Sequence, residues 1–487
     1  MSATTQERRK VEQAPAGNDR KTATRLAILE GPVLRVLLRL ALPTIAVLVA
    51  QTLVGIVETF YVSRLGTHAL VGVSVVFPVW MLMTMMSAGG LGGGVASAVA
   101  RSIGGDRHDD ADDHVLHAIV LGIVMGLLFM AGIWLLGPRL FEALAARGGA
   151  LAQAVTYSRW LSLSAVPIWI VNLCSAALRG AGNVKAPALI SLLGVVTLIP
   201  LSPLLIFGAG PLVGLGIAGA GLAVTIYYSA ASFILLRYLC TGRAGLTLNV
   251  VPLRRTLFRD VLGVGLISSV AVIQINLAVI IVTGIVGRFG EAAIGGYGIG
   301  ARLDYLFIPV LFGLGSAMLT MIGTCIGAGR IARAKRIAAI GTILGACFTG
   351  CVGLIVTVHP MLWLSVFSDD RSVLQHGSIY LRVAGLSYPA MAAAFILSFV
   401  SQGSGQPGWT TFAGTMRLTI AAGIGWLAVA QFGADLRILS VIVALSQIAA
   451  AAICLWAAYR GHIWPQARTN VPLPDEGGGE HQDGLPV

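Results

Sequence analysis

Between residues 34 and 463 the chain is an almost unbroken series of apolar runs, each long enough to cross a hydrocarbon layer of about 30 Å as a helix. Twelve can be marked off, at 34–62, 68–101, 113–138, 153–179, 185–208, 213–240, 259–287, 292–327, 334–363, 374–402, 407–432 and 436–463; we number them spans 1 to 12. In lipid the backbone must satisfy its own hydrogen bonds, and apolar runs of this length do so as helices. The expected fold class is therefore an all-α polytopic membrane protein. Composition agrees, since 11% of residues are charged where a soluble domain carries about 25%. Several runs exceed the ~20 residues a direct crossing needs, which predicts tilts and bends.

A net charge of +12 would suit a nucleic-acid partner, but the placement of the charge points to topology instead. With the N-terminus inside, the cytoplasmic segments hold 23 Lys and Arg. The opposite side holds eight (Arg64, Arg139, Arg147, Arg159, Arg288, Arg371, Arg382, Arg437), and Arg302 and Arg417 lie within spans. Basic residues collect on the cytoplasmic face, so both termini are expected there and no nucleic-acid partner is expected. Residues 1–33 read as a polar cytoplasmic tail without the apolar core of a secretory signal. Residues 464–487 read as a disordered Pro/Gly/acid tail. The six cysteines fall nearly all in apolar stretches and read as small packing residues, so neither a metal site nor a cofactor is expected. The run DRHDDADDH at 106–114 has no ligand spacing and reads as a solvated charge run in a loop.

An internal repeat organises the whole. RSIGGDR, ending at Arg107, returns in the second half as TCIGAGR, ending at Arg330. The same offset carries Tyr157 and Arg159 onto Tyr380 and Arg382, and Arg179-Gly180-Ala181-Gly182 onto Gln402-Gly403-Ser404-Gly405. The expected organisation is an N-lobe at 34–240 (spans 1–6), a cytoplasmic connector at 241–258 and a C-lobe at 259–463 (spans 7–12). Six spans per half leave the halves in one orientation, related by an axis along the membrane normal, an arrangement of alternating-access transporters. Gly122/Gly126 and Gly341/Gly345 would let helices approach closely, and prolines such as Pro43, Pro78, Pro167, Pro200, Pro309 and Pro389 would bend them.

Of 21 acidic residues only Glu58 and Asp304 stand well inside a span. An ionisable group there costs roughly 2.5–3.5 kcal/mol on insertion scales and is a functional candidate by default. Low dielectric favours the neutral carboxyl, so such a group can take up a proton or a cation in turn. Gln51 and Tyr61 share the helix face of Glu58. Arg302 is two residues from Asp304, a spacing that does not face on a helix. The chain has no GxxxxGK[ST], HExxH or GxSxG, which argues against ATP hydrolysis of that kind and against an intramembrane hydrolase. No catalytic residue is assigned, and an ion gradient is expected to supply the driving force.

The stretch LALPTIAVLVAQTLVGIVETFYVSRLG, followed by FPVW and VARSIGGDR, resembles the multidrug and toxic compound extrusion (MATE) transporters. So do LRGAGNVKAPALI, PLLIFGAG and GIAGAGLAVT, while YGIGARLDYLFIPVLFGLG and IGAGRIARAKRIA resemble the DinF-type bacterial branch. The resemblance implies two six-helix lobes around a V-shaped cavity, a working monomer, and export of organic cations or amphipathic compounds in exchange for H⁺ or Na⁺. It places the N-lobe coupling acid at Glu58, a bending proline at Pro43 and a threonine near the acid at Thr225. In span 5 the family's NxxLDP reads LIPLSP, leaving Leu198 and Ser202. The acids that NorM-type members carry in spans 7 and 10 are absent, and Gln274, Asn276 and Ser387 stand in those spans instead.

The expected function is thus a proton-coupled efflux antiporter of a bacterial inner membrane, with Na⁺ the less favoured ion. Phe60, Trp80, Met81 and Met85 are candidate cavity-lining groups, since aromatic rings and thioethers suit promiscuous binding. Arg302, Asp304, Gln274 and Asn276 are the polar candidates of the second lobe. Expected partners are small amphipathic or cationic molecules and membrane lipid. A lipid-linked precursor flippase of the same superfamily is the alternative, and it would require a more basic cavity. An intramembrane enzyme or a scaffold is the reading from another class.

Overall fold

A computed structural model describes residues 16–465 except 145, 211 and 243. Among the described residues eleven helices are long and apolar enough to cross a membrane, and a bent pair makes the twelfth. Spans 1 to 3 are Val33–Ser63, Thr67–Gly104 and His108–Ala143. Span 4 is Gly148–Ser162 and Ala165–Gly180, which meet at 49°. Spans 5 to 8 are Lys185–Phe207, Ile217–Cys240, Arg255–Phe289 and Glu291–Gly327. Spans 9 to 12 are Ile331–Val358, Arg371–Gly403, Gly408–Phe432 and Leu436–Arg460. The strands are a two-residue pair in the span 5–6 turn, Gly208–Ala209 against Leu212–Val213.

The bends have local causes. Pro167 cannot donate to the carbonyl of Leu163, and span 4 breaks there, between Ser162 and Ala165. Span 2 passes through a π-helical turn at Met86–Leu91 and span 11 through one at Thr419–Ile424. Pro43 sits inside span 1 where that helix crosses span 8, since a Cβ on Gly313 would press on Ile45 and stand 3.3 Å from the Ala41 carbonyl. The N-terminal third of span 1 (Val33, Leu37, Leu40, Ala41) joins the hydrophobic core of the second half, while Val54 joins a cluster of the first half.

The repeat is visible in the backbone. Asp106 (φ 62°) and Gly329 (φ 70°), which the repeat places at one equivalent position, take the same left-handed turn after spans 2 and 8. At this crossing a Cβ on Gly104 would collide with the Thr324 carbonyl oxygen, and one on Gly327 with the Arg101 carbonyl oxygen. Thr324 is the repeat equivalent of Arg101, so each copy of the motif packs on the other. The duplicated sequence is therefore its own partner across the axis between the halves.

Three segments differ from the sequence expectation. The polar N-terminal segment contains a helix, Ala16–Glu30, whose Ile28 and Leu29 are buried against the second half. Lys21 pairs with Asp112 at 2.9 Å, and Arg25 donates to the Gly104 carbonyl at 3.2 Å, so the helix lies over the ends of spans 2 and 3. The acidic run 106–114 is correspondingly not a solvated loop: from His108 it forms the first turns of span 3. At the other end Trp464 is buried, its indole N–H bonding to the Ala458 carbonyl at 3.0 Å, so the packed chain extends past the expected boundary. The expected disordered tail otherwise falls almost wholly on residues 466–487, and these, like residues 1–15, lie outside the described residues.

Candidate functional site

Glu58 lies just over four turns beyond Pro43 on span 1, half-buried against span 5. The hydroxyl of Ser202, which is 1% exposed, donates to Glu58 Oε1. Ser202 stands between Pro200 and Pro203, where two missing backbone donors leave span 5 free carbonyls and room to turn a side chain toward span 1. Tyr157 of span 4 and Tyr228 of span 6 lie within electrostatic reach of the carboxylate. The rings of Tyr227 and Tyr228 are 4.4 Å apart, and Gln51 stands beside Tyr227, one level nearer the N-terminal face. The pocket therefore joins one acid, one serine, one glutamine and three phenols from spans 1, 4, 5 and 6.

The other expected members of this site are placed elsewhere. Thr225 spends its hydroxyl on the Trp160 carbonyl at 2.8 Å and the Gly221 carbonyl at 3.0 Å, so it ties span 6 to span 4 and does not reach Glu58. Leu198 is buried in the apolar cluster with Val54 and Tyr227. Tyr61 packs against the small cluster of Val62, Ile206 and Ile217, beyond the acid. Phe60 is exposed beneath the Arg64 guanidinium, 5.1 Å from its ring centroid. Trp80 packs on two core clusters of the first half, and Met81 is half-buried.

In the second half Asp304 on span 8 accepts from the Tyr380 hydroxyl at 3.2 Å, while its Oδ1 is buried without a hydrogen-bond partner. Tyr297, Tyr388 and Arg417 face it within electrostatic reach, and the Tyr297 and Tyr380 rings meet edge-on at 4.9 Å. Arg302 points away, over the Phe367 ring at 5.6 Å. Gln274 donates to Thr415 at 2.8 Å, and Asn276 to the Val272 carbonyl at 2.9 Å and toward Met85 Sδ at 3.8 Å. Neither amide joins the Asp304 cluster. Ser387 is likewise used locally, on Gln447 at 3.0 Å.

The tyrosines are what the sequence reading leaves out, although the repeat holds the clue. Tyr157 and Tyr380 are the same position in the two halves, and each faces the intramembrane acid of its own half. The acids themselves are not duplicates, since Glu58 is on span 1 and Asp304 on span 8. Tyr380→Phe removes the donor from a buried carboxylate and should lower unfolding stability by about 1–3 kcal/mol. Denaturation of the purified protein against wild type measures this, and an unchanged midpoint would mean that Tyr380 does not hold Asp304.

The halves meet closely from Asn276–Met85 at mid-span down to the face that carries the N-terminus. There Arg101 of span 2 bonds to Ser97 and, at 2.5 Å, to Asp260 of span 7; Ser97 in turn donates to the Gln402 carbonyl of span 10. His114 of span 3 has Nε2 3.7 Å from the same Asp260. Arg254, just before span 7, pairs with Asp113 and Asp110, which hold its guanidinium above its ordinary pKa. The acidic run thus supplies the first-half side of an ion network that joins the halves at the N-terminal face.

The sequence model of the MatE family matches this chain twice, at residues 43–204 and 268–427. The chain is 25% identical over 380 residues to an FAD transporter of Shewanella oneidensis, covering 77% of this chain and 83% of that one. It is 22% identical over 431 residues to the multidrug export protein MepA of Staphylococcus aureus, covering 88% and 94%. A crystal structure of MATE in the bent conformation superposes with a TM-score of 0.83 at 23% identity, covering 90% of this chain and 97% of that one. The two matched stretches are set apart by almost the spacing that separates Arg107 from Arg330, so the family model and the internal repeat divide the chain alike. The resemblance to the MATE transporters is thereby borne out over both halves, and the chain belongs to the MATE family: it is a multi-pass membrane transporter of small molecules, not an enzyme.

Proposed function

We propose that this transporter is a proton-coupled exporter of organic cations and other amphipathic compounds, working by alternating access as a monomer of the DinF type in a bacterial inner membrane, with both termini cytoplasmic. The observation that carries the reading is the surroundings of Glu58: among the described residues Ser202 alone hydrogen-bonds to the carboxylate, and Leu198, where the family's pattern has a further ligand, is buried in an apolar cluster. A proton needs one carboxylate oxygen, whereas Na⁺ needs several oxygens at once. Protons reach Glu58 from outside, displace the cation or collapse the pocket, and leave inside. The carboxylate binds the cationic substrate only when deprotonated, so the two ligands are linked.

The names of the relatives span a multidrug exporter and an FAD transporter, and charge separates such cargoes. A flippase for a pyrophosphate-linked lipid, or a carrier of a nucleotide anion, requires basic groups at the substrate pocket. The pocket around Glu58 has none among Gln51, Tyr157, Ser202, Tyr227 and Tyr228, which favours cations. Wild-type protein in sodium-free proteoliposomes should accumulate a fluorescent organic cation when a pH gradient is imposed, and added Na⁺ should change the rate little. Accumulation that appears only with a Na⁺ gradient would overturn proton coupling. No accumulation under either gradient would overturn cation export.

A further inference from the structure

Three arginines on the face opposite the N-terminus converge on one cavity. Arg371 is the first residue of span 10, and Gln375, Ser378 and Arg382 follow on the same helix face at spacings of four, seven and eleven. Arg437 is the second residue of span 12. With Met361 these side chains line a cavity of about 760 Å³. Among the described residues none of the three guanidinium groups has a hydrogen bond, an ion pair or a ring contact. Two nearby carboxylates are turned to the helix ends: Asp370 accepts from the Ser372 and Val373 amides at 2.7 and 3.3 Å, and Asp435 from the Ile438 amide at 2.8 Å. Neither lines the cavity.

Three exposed, unpaired cations around one cavity create a positive potential that a shared anion would neutralise. Their position fits a ligand at the level of lipid headgroups. Span 10 has 33 residues and is about 50 Å long, roughly 20 Å more than the hydrocarbon core, so its first turns stand in the headgroup layer. Arg382 lies three turns deeper, a depth from which a long basic side chain can snorkel to that layer. One turn further along the same face Leu386 is 66% exposed. The groove is therefore cationic at its rim and apolar beneath.

We propose that Arg371, Arg382 and Arg437 form a binding site for a phosphoryl group, with Gln375 and Ser378 as neutral donors. Guanidinium forks hold phosphate oxygens two at a time, and the apolar wall below them suits the chains of an amphiphile. The phosphate can come from an anionic phospholipid of that leaflet or from a soluble phosphate ester. The site stands apart from the Glu58 pocket, so its test needs no transport assay.

Purified full-length protein would be titrated with phosphatidylglycerol, phosphatidylcholine or inorganic phosphate, with bound lipid counted by native mass spectrometry and protection read as a thermal shift. Phosphatidylglycerol should be retained about ten- to a hundredfold better than phosphatidylcholine, and the preference should vanish in the triple variant Arg371→Gln/Arg382→Gln/Arg437→Gln but survive Arg288→Gln. If inorganic phosphate protects the protein and displaces the lipid, the site stands and its source is a soluble phosphate. Equal retention of both lipids with no phosphate effect, or a preference untouched in the triple variant, overturns the proposal. Should the triple variant fail to fold, Arg382→Gln alone must weaken the preference, and an unchanged preference is equally fatal.

Discussion

Glu58→Gln should abolish proton-driven transport while leaving the fold intact. Glutamine keeps the shape of the side chain, and its amide oxygen can still accept from Ser202, so the contact between spans 1 and 5 survives. What is lost is the charge that a proton and a cationic substrate compete for. Between its protonated and deprotonated states a carboxylate coupled in this way should change substrate affinity by roughly 5–150-fold, the usual range for linkage between two ligands. In Glu58→Gln the ratio should fall to about one. Binding of a fluorescent organic cation to purified protein gives the ratio directly, and uptake into proteoliposomes gives its consequence. A ratio that keeps its wild-type value in Glu58→Gln would move the coupling to Asp304, the other acid held against a tyrosine of the repeat.

How far each feature can be read in advance depends on whether it is local. The spans follow from hydropathy and bilayer thickness, and the repeat from direct comparison of RSIGGDR with TCIGAGR, so the two-lobed architecture is accessible without coordinates. Glu58 stands out because a carboxylate in an apolar run is costly. Ser202 comes from the pattern LIPLSP, and the structure puts its hydroxyl on the acid. Thr225 comes from the same kind of argument and points elsewhere, because helix rotation and crossing decide which hydroxyl arrives, and neither is written in the sequence of one span. The tyrosines escape notice for that reason: a phenol in an apolar run looks like any aromatic residue until the helix beside it is known. The run 106–114 reads wrongly as a solvated loop because hydropathy scores a paired aspartate and a solvated one alike. Its partners, Lys21 before span 1 and Arg254 before span 7, are distant in the chain and meet it only once the helices have packed.

Substituting leucine at Gly104 or at Gly327 should open the N-terminal face. At the span 2–span 8 crossing each glycine lies on a carbonyl of the other half, Gly104 on Thr324 and Gly327 on Arg101, and even a Cβ has no room there. A backbone carbonyl cannot swing aside as a flexible side chain can, so the helices must separate. Overpacking of this kind costs typically 1–3 kcal/mol, and here the cost falls on the closed arrangement alone, because the contact exists only while the halves meet. The balance between closed and open forms should shift by about 5–150-fold. Ser102 is 1% exposed, so a cysteine placed there in a background cleared of the native cysteines reports the change as faster reaction with a thiol reagent. Gly132→Leu, in span 3 where nothing lies within 4 Å, serves as the control and should leave labelling unchanged. Because the two glycines occupy one crossing, the double variant should add less than the sum of the singles. Unchanged labelling in both single variants would shift the closure to the Arg101–Asp260–His114 network, which also joins the halves at that face. The reciprocal packing also gives the motif a reason to be duplicated: a crossing on the axis between like halves must fit its own copy, so a residue that enlarges one side has to clear the same backbone on the other.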